Sequence, residues 1–273
     1  MTNPPRTTQP RRWKSIAFAS VTLAAAPAWA DLYRAPPVTL ATPEARLWLA
    51  QSQGGEGGEA GVTSGASSDA AYLTELMIVE GHMLAARDLY AMGQKDTAVE
   101  LSKHPQEEGT LDALRKQIAE HKAADVADVI TAFSAAMEKG GSQAEVDAAL
   151  TAVSAGFAAA GSVKSDQVRA RFDAVVLLLK VAAKEYQGSI KDGRVDDVMA
   201  WHEAWSFVSL ARVRLQALAA LPLSAKAAPK AIKALEAADA AFGDPAAAEP
   251  LAGDGQILLG IAAKIELIAS SVR

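Results

Sequence analysis

The stretch "FDAVVLLLKVAAKEY", Phe172 to Tyr186, does most to limit how this chain can fold. Phe172, Val175, Val176, Leu179 and Ala183 recur at intervals of three and four, the period of an α-helix buried along one side. The apolar face is wide, as it is for a helix with neighbours on more than one side. The same period runs through an alanine-rich chain with short breaks and no strand-like alternation. Helices are predicted over 70–92, 110–122, 124–138, 143–159, 165–187, 195–220, 224–242 and 254–271. A short helix, "TAVELSKH", is capped by Asp96, and Pro105 bars it from continuing in register. Gly93 ends the first helix, and Ser142 and Glu145 stand in capping-box spacing. Lys191 to Asp197 reads as a turn. The expected fold class is all-α, a helical bundle of about seven to eight helices over 70–273.

The segment from Leu84 to Pro105 has the cadence of one tetratricopeptide-type hairpin, with Gly93, Ala98 and Pro105 in place. An array repeats at about 34 residues. No second copy occurs, so a single hairpin is expected.

The first thirty residues are expected to be a signal peptide. Arg6, Arg11, Arg12 and Lys14 precede the apolar "SIAFASVTLAAAPAWA", which ends in Ala28-Trp29-Ala30, a small-x-small cleavage pattern. The apolar run is shorter than the roughly 20 residues a membrane helix needs. Lys14 stands where a twin-arginine signal wants an apolar residue, so general secretion is the expected route and the periplasm the expected location. Residues 31–69 read as an extension and linker. They hold a short helix capped at Thr42 and the Gly/Ser-rich "GGEGGEAGVTSGASSD", a composition typical of flexible linkers.

Removing that basic start makes the remainder acidic: 27 minus 4 leaves 23 basic residues against 32 acidic ones, a formal charge of −9. Nucleic-acid binders carry a basic footprint, so that class is excluded, as is attraction to anionic membranes. No later apolar run is long enough to span a bilayer. The chain has no cysteine. It therefore has no disulfide, and core burial must hold the roughly 240 mature residues together. Any metal site must be built from His, Asp, Glu, Met or backbone oxygen.

Glu75 and His82 lie seven apart on the first helix and share a face. His82 stands eleven residues before Gly93 and His104 eleven after it. If the chain folds back there, both histidines sit roughly 16 Å from the turn, at about 1.5 Å of rise per residue. Antiparallel helix axes lie about 8–10 Å apart, a gap that two imidazoles can bridge around a cation. Glu80, Glu107 and Glu108 are the nearby carboxylates. A histidine in the last helical turn also suits the negative end of the helix dipole, a purely structural role for His104.

Trp201, Trp205 and Val208 form an i, i+4, i+7 stripe, flanked by His202 and Glu203. It reads either as a core stripe or as the aromatic wall of a pocket with His202 or Tyr186 at its rim. His121 reads as a solvated polar position. His202-Glu203 lacks the second histidine of H-E-x-x-H. No cysteine nucleophile, G-x-S-x-G turn or phosphate-binding glycine loop is present. No catalytic nucleophile, acid or base can be named, which sets an enzyme reading behind the others.

His104-Pro105-Gln106-Glu107 is an H-x-x-E tetrapeptide in an exported, helical, cysteine-free sequence. It resembles the imelysin-like proteins, whose motif is G-x-H-x-x-E. Ser102 stands where that family has glycine, and Pro105 puts the motif at a helix end. The resemblance implies a bundle of two helical subdomains, a link to iron uptake, and His104 and Glu107 as metal-site candidates.

Two functions are therefore expected. In the first, an exported bundle binds a divalent or ferric ion, iron or a similar cation, for capture or delivery through Glu75, His82, His104 and Glu107. In the second, the bundle is an interaction or structural protein with a periplasmic protein partner and no ligand chemistry. The distance between His82 and His104 discriminates between them.

Overall fold

The computed structural model describes residues 61–107, 109–245 and 254–272, all within the unit Ala35–Arg273. The expected signal peptide, the extension as far as residue 60, and Glu108 lie outside the described residues. The bundle begins two residues earlier than expected, with α1 at Ser68–Ala91. Ser67 caps it, its hydroxyl accepting from the Ala70 amide at 3.2 Å. Gly93 turns the chain with φ +83°, a conformation glycine adopts without a Cβ penalty.

Then follow α2 (Lys95–Leu101), α3 (His104–Glu107), α4 (Thr110–Glu120), α5 (Ala127–Glu138), α6 (Gln143–Ser162), α7 (Val168–Ser189) and α8 (Val198–Ala219). The last group is α9 (Ala228–Leu235), α10 (Asp239–Phe242) and α11 (Gln256–Ala269). Nine of these among the described residues are seven residues or longer. The expected capping box of α6 forms, with Ser142 and Glu145 each accepting from the other's backbone amide.

Three expectations need correction. Asp96 lies in the first turn of α2 and is not its cap; Gln94 holds that position. The turn at 191–197 contains a two-residue hairpin, β1 (Ile190–Lys191) against β2 (Arg194–Val195), with Ile190 opposite Val195. Asp192 and Gly193 take φ of +52° and +75°, as an Asp-Gly hairpin turn demands. The single helix expected over 224–242 is broken, with 3-10 turns at Pro222–Ser224 and Glu236–Ala238.

The centre is the trio α1, α7 and α8, which pack on one another. α2, α4 and α6 pack against α1, and α5 joins them through α2 and α6. α9 and α11 close the other side, on α8 and α7 respectively. Phe172, Val175, Val176, Leu179 and Ala183 of α7 are all buried, as their spacing predicts. Among the described residues no helix is long and apolar enough to cross a membrane.

Candidate metal centre

The centre lies where α1 crosses α8. Gly81 makes the approach: a Cβ at that position would stand 2.4 Å from two atoms of the Phe207 ring. The bare backbone lets Phe207 lie on α1, and its edge meets the His82 ring with centroids 5.8 Å apart. Glu203 is one turn before Phe207 on the same face of α8. The crossing therefore delivers Glu203 Oε1 to 3.2 Å from His82 Nε2.

The other nitrogen of His82 decides the chemistry. Nδ1 lies 2.9 Å from the backbone oxygen of Ile78. A carbonyl only accepts, so Nδ1 carries the proton and donates it. Nε2 is then left to face a carboxylate oxygen. Two lone pairs do not meet at that distance unless a positive charge lies between them, either a proton on the imidazolium or a metal ion. A ligand histidine whose second nitrogen is held by a backbone carbonyl is also the usual arrangement at metal sites.

His104 supplies the third donor. α2 ends at Leu101, earlier than the expected helix through His104. Ser102 and Lys103 form a turn, and α3 restarts with Pro105 at its second position, where the missing amide costs nothing. The His104 ring is carried inward. Its Nδ1 stands 3.8 Å from Glu203 Oε1, and its centroid is 6.2 Å from that of His82. One ligand atom from each of His82, His104 and Glu203 lies within 4.8 Å of the other two. An ion with bonds of about 2.0–2.2 Å holds its ligands about 3–3.6 Å apart, so a small inward movement suffices.

The three side chains are 3 %, 18 % and 9 % exposed for His82, His104 and Glu203, so the group opens outward past His104. Burial pushes the Glu203 carboxyl up, but the charge and hydrogen bonds of His82 and His104 outweigh it and hold the group at about 2. Glu203 is thus a carboxylate at neutral pH. The arrangement, two imidazoles and one carboxylate on three separate elements, could hold a metal ion.

The remaining candidate carboxylates go elsewhere. Glu75 shares the face of His82 but sits two turns away, about 10 Å along the axis. It accepts a hydrogen bond from Gln117 of α4. Burial raises its carboxyl above the usual range, and Gln117 works against that rise. Glu80 is 3 % exposed and pairs with Arg214 of α8. Burial raises its carboxyl too, opposed by Arg214 and Ser154. Glu107 is exposed and lines a cavity of about 180 Å³ between α3 and α5. Of the H-x-x-E pair, only His104 joins the group.

Of the aromatic stripe, Trp201 and Val208 are core and Trp205 is half-buried. Trp201 is fully buried, packs against Tyr186 and Phe242 at 5.4 and 5.1 Å, and donates Nε1–H to the Pro245 carbonyl at 3.2 Å. Tyr186, expected at a pocket rim, is buried and donates its hydroxyl to the Ala241 carbonyl at 2.7 Å. His202 is also buried, and among the described residues neither ring nitrogen has a hydrogen-bond partner. Burial drives its pKa from 6.5 to about 4. His121, read as solvated, is half-buried, with its ring centroid 4.3 Å from that of Tyr72.

Glu203 is the residue that sequence reasoning passed over. Its signal was legible: with Phe207, Leu210 and Arg214 it repeats at four, seven and eleven on one face. An acid inside an apolar stripe needs a partner. No family model matches the chain, and neither the curated proteins nor the solved structures provide a match.

Proposed function

We propose that this chain binds a transition-metal ion through His82 Nε2, His104 Nδ1 and a Glu203 oxygen. The observation that carries the reading is the His82–Glu203 pair. One imidazole nitrogen is spent on a backbone carbonyl, and the other is aimed at a buried carboxylate with His104 beside it. Two nitrogens and one oxygen with no thiolate suit iron, zinc and neighbouring first-row ions. With three protein donors, such an ion keeps places open for water or an incoming ligand, which suits capture and delivery. The basic, apolar, Ala-x-Ala-ended start of the sequence supports export and a periplasmic role. The H-x-x-E resemblance to imelysin-like proteins favours iron uptake as the process.

Metal analysis and calorimetric titration of the protein from Asp31 onward test the reading. Zn²⁺ and Fe²⁺ are expected to bind at one site per chain. His82→Ala and Glu203→Gln are each expected to weaken binding by about 100-fold or more, beyond the 10–100-fold seen when mere supporting groups are lost. Unchanged affinity in both variants would end the proposal.

A further inference from the structure

We propose that the segment Ser102–Glu107 is the gate through which the ion leaves, and that Lys103, with Ser134 and Glu138 of α5, latches it shut. The inference rests on the metal-binding reading above and concerns how that site is opened. His82 and Glu203 stand on helices of 24 and 22 residues, locked together at the Gly81–Phe207 crossing. His104 stands on a helix of four residues, set between the Ser102–Lys103 turn and Gly109 with φ +75°. It is also the most exposed of the three donors, at 18 %. The third donor is thus the one on a short element, set apart from the Gly81–Phe207 crossing that fixes the other two.

Two contacts hold that element to α5. Lys103 Nζ lies 2.6 Å from Glu138 Oε1. The Ser134 hydroxyl donates to the Ser102 carbonyl at 3.2 Å. Both flank the turn immediately before His104. The 180 Å³ cavity lies beside them, lined by Lys103, Gln106 and Glu107 on one side and Thr131, Ser134 and Glu138 on the other. His104 does not line it. The segment's α5 flank is therefore held by these two contacts and not by close packing, and releasing them frees His104 to withdraw from Glu203. Lys103, Ser134 and Glu138 are positioning residues; none is a ligand.

The test is a chelator chase. The chain is loaded with Co²⁺, and release is followed in stopped flow after excess EDTA. Lys103→Ala is expected to speed release roughly threefold, since solvent screens a surface ion pair and leaves it a weak hold. Adding Ser134→Ala is expected to bring the total to about tenfold. The swap Lys103→Glu with Glu138→Lys is expected to restore the slow rate, which a merely destabilised fold would not do. Hydrogen exchange is expected to accelerate at 102–107 in the double variant while α1 and α8 stay protected. A release rate equal to that of the parent in Lys103→Ala/Ser134→Ala overturns the gate and leaves metal binding standing. Failure of the parent chain to take up Co²⁺ overturns the metal reading, and the gate with it.

Discussion

At the scale of single residues, His202 and Glu203 are neighbours with opposite fates. Glu203 is folded into a charge-balanced group and held at about 2 against an ordinary 4.5. Its depressed carboxyl contributes stability above about pH 4.5, and that contribution is lost as pH falls through about 2. His202 sits at about 4 against an ordinary 6.5. Between those values the unfolded chain binds a proton that the folded chain refuses, so stability falls as pH drops from about 6.5 to about 4. From pH 7 to pH 5 the loss from this residue is about 2 kcal/mol. His202→Leu is expected to remove that loss, read as urea midpoints at the two pH values. The same drop in the variant as in the parent would show that His202 is not its source.

Elements explain why the imidazoles meet. Equal spacing of His82 and His104 about Gly93 placed them at one level, and the structure places them 6.2 Å apart. The path differs from the arithmetic, because α2 stops at Leu101 and a separate turn carries His104 inward. Periodicity reports where helices run and which faces are apolar, so the ends of α1, α7 and α8 were legible to within about three residues. It does not report which faces of distant helices cross, so Glu203, more than 100 residues after His82, could not be joined to it. Glu75 shows the converse limit: a shared face over two turns is still about 10 Å apart. The crossing itself is testable. Gly81→Ala puts a methyl into the Phe207 ring and is expected to cost about 1–3 kcal/mol of stability by overpacking. It is expected to weaken metal binding as well, by prising His82 from Glu203. A Gly81→Ala variant with parental affinity would separate the crossing from the site.

For the whole molecule, the proposed reading links metal binding to stability. Donors from α1, α3 and α8 are gathered only in the folded chain, so an ion at 100 times its Kd is expected to add about 2.7 kcal/mol to unfolding. EDTA is expected to reverse the gain. Protons compete for the same nitrogens, so affinity is expected to fall below about pH 6. A complex fully formed at pH 5 would argue against histidine ligation. The most direct measurement is Co²⁺ titration followed by visible absorption, on the parent and on a His82→Ala, His104→Ala and double-variant set. The account predicts one ion per parent chain, absorption bands that shift when either histidine is lost, and no more loss in the double variant than in His82→Ala. Equal Co²⁺ spectra and affinities across all four proteins would contradict it.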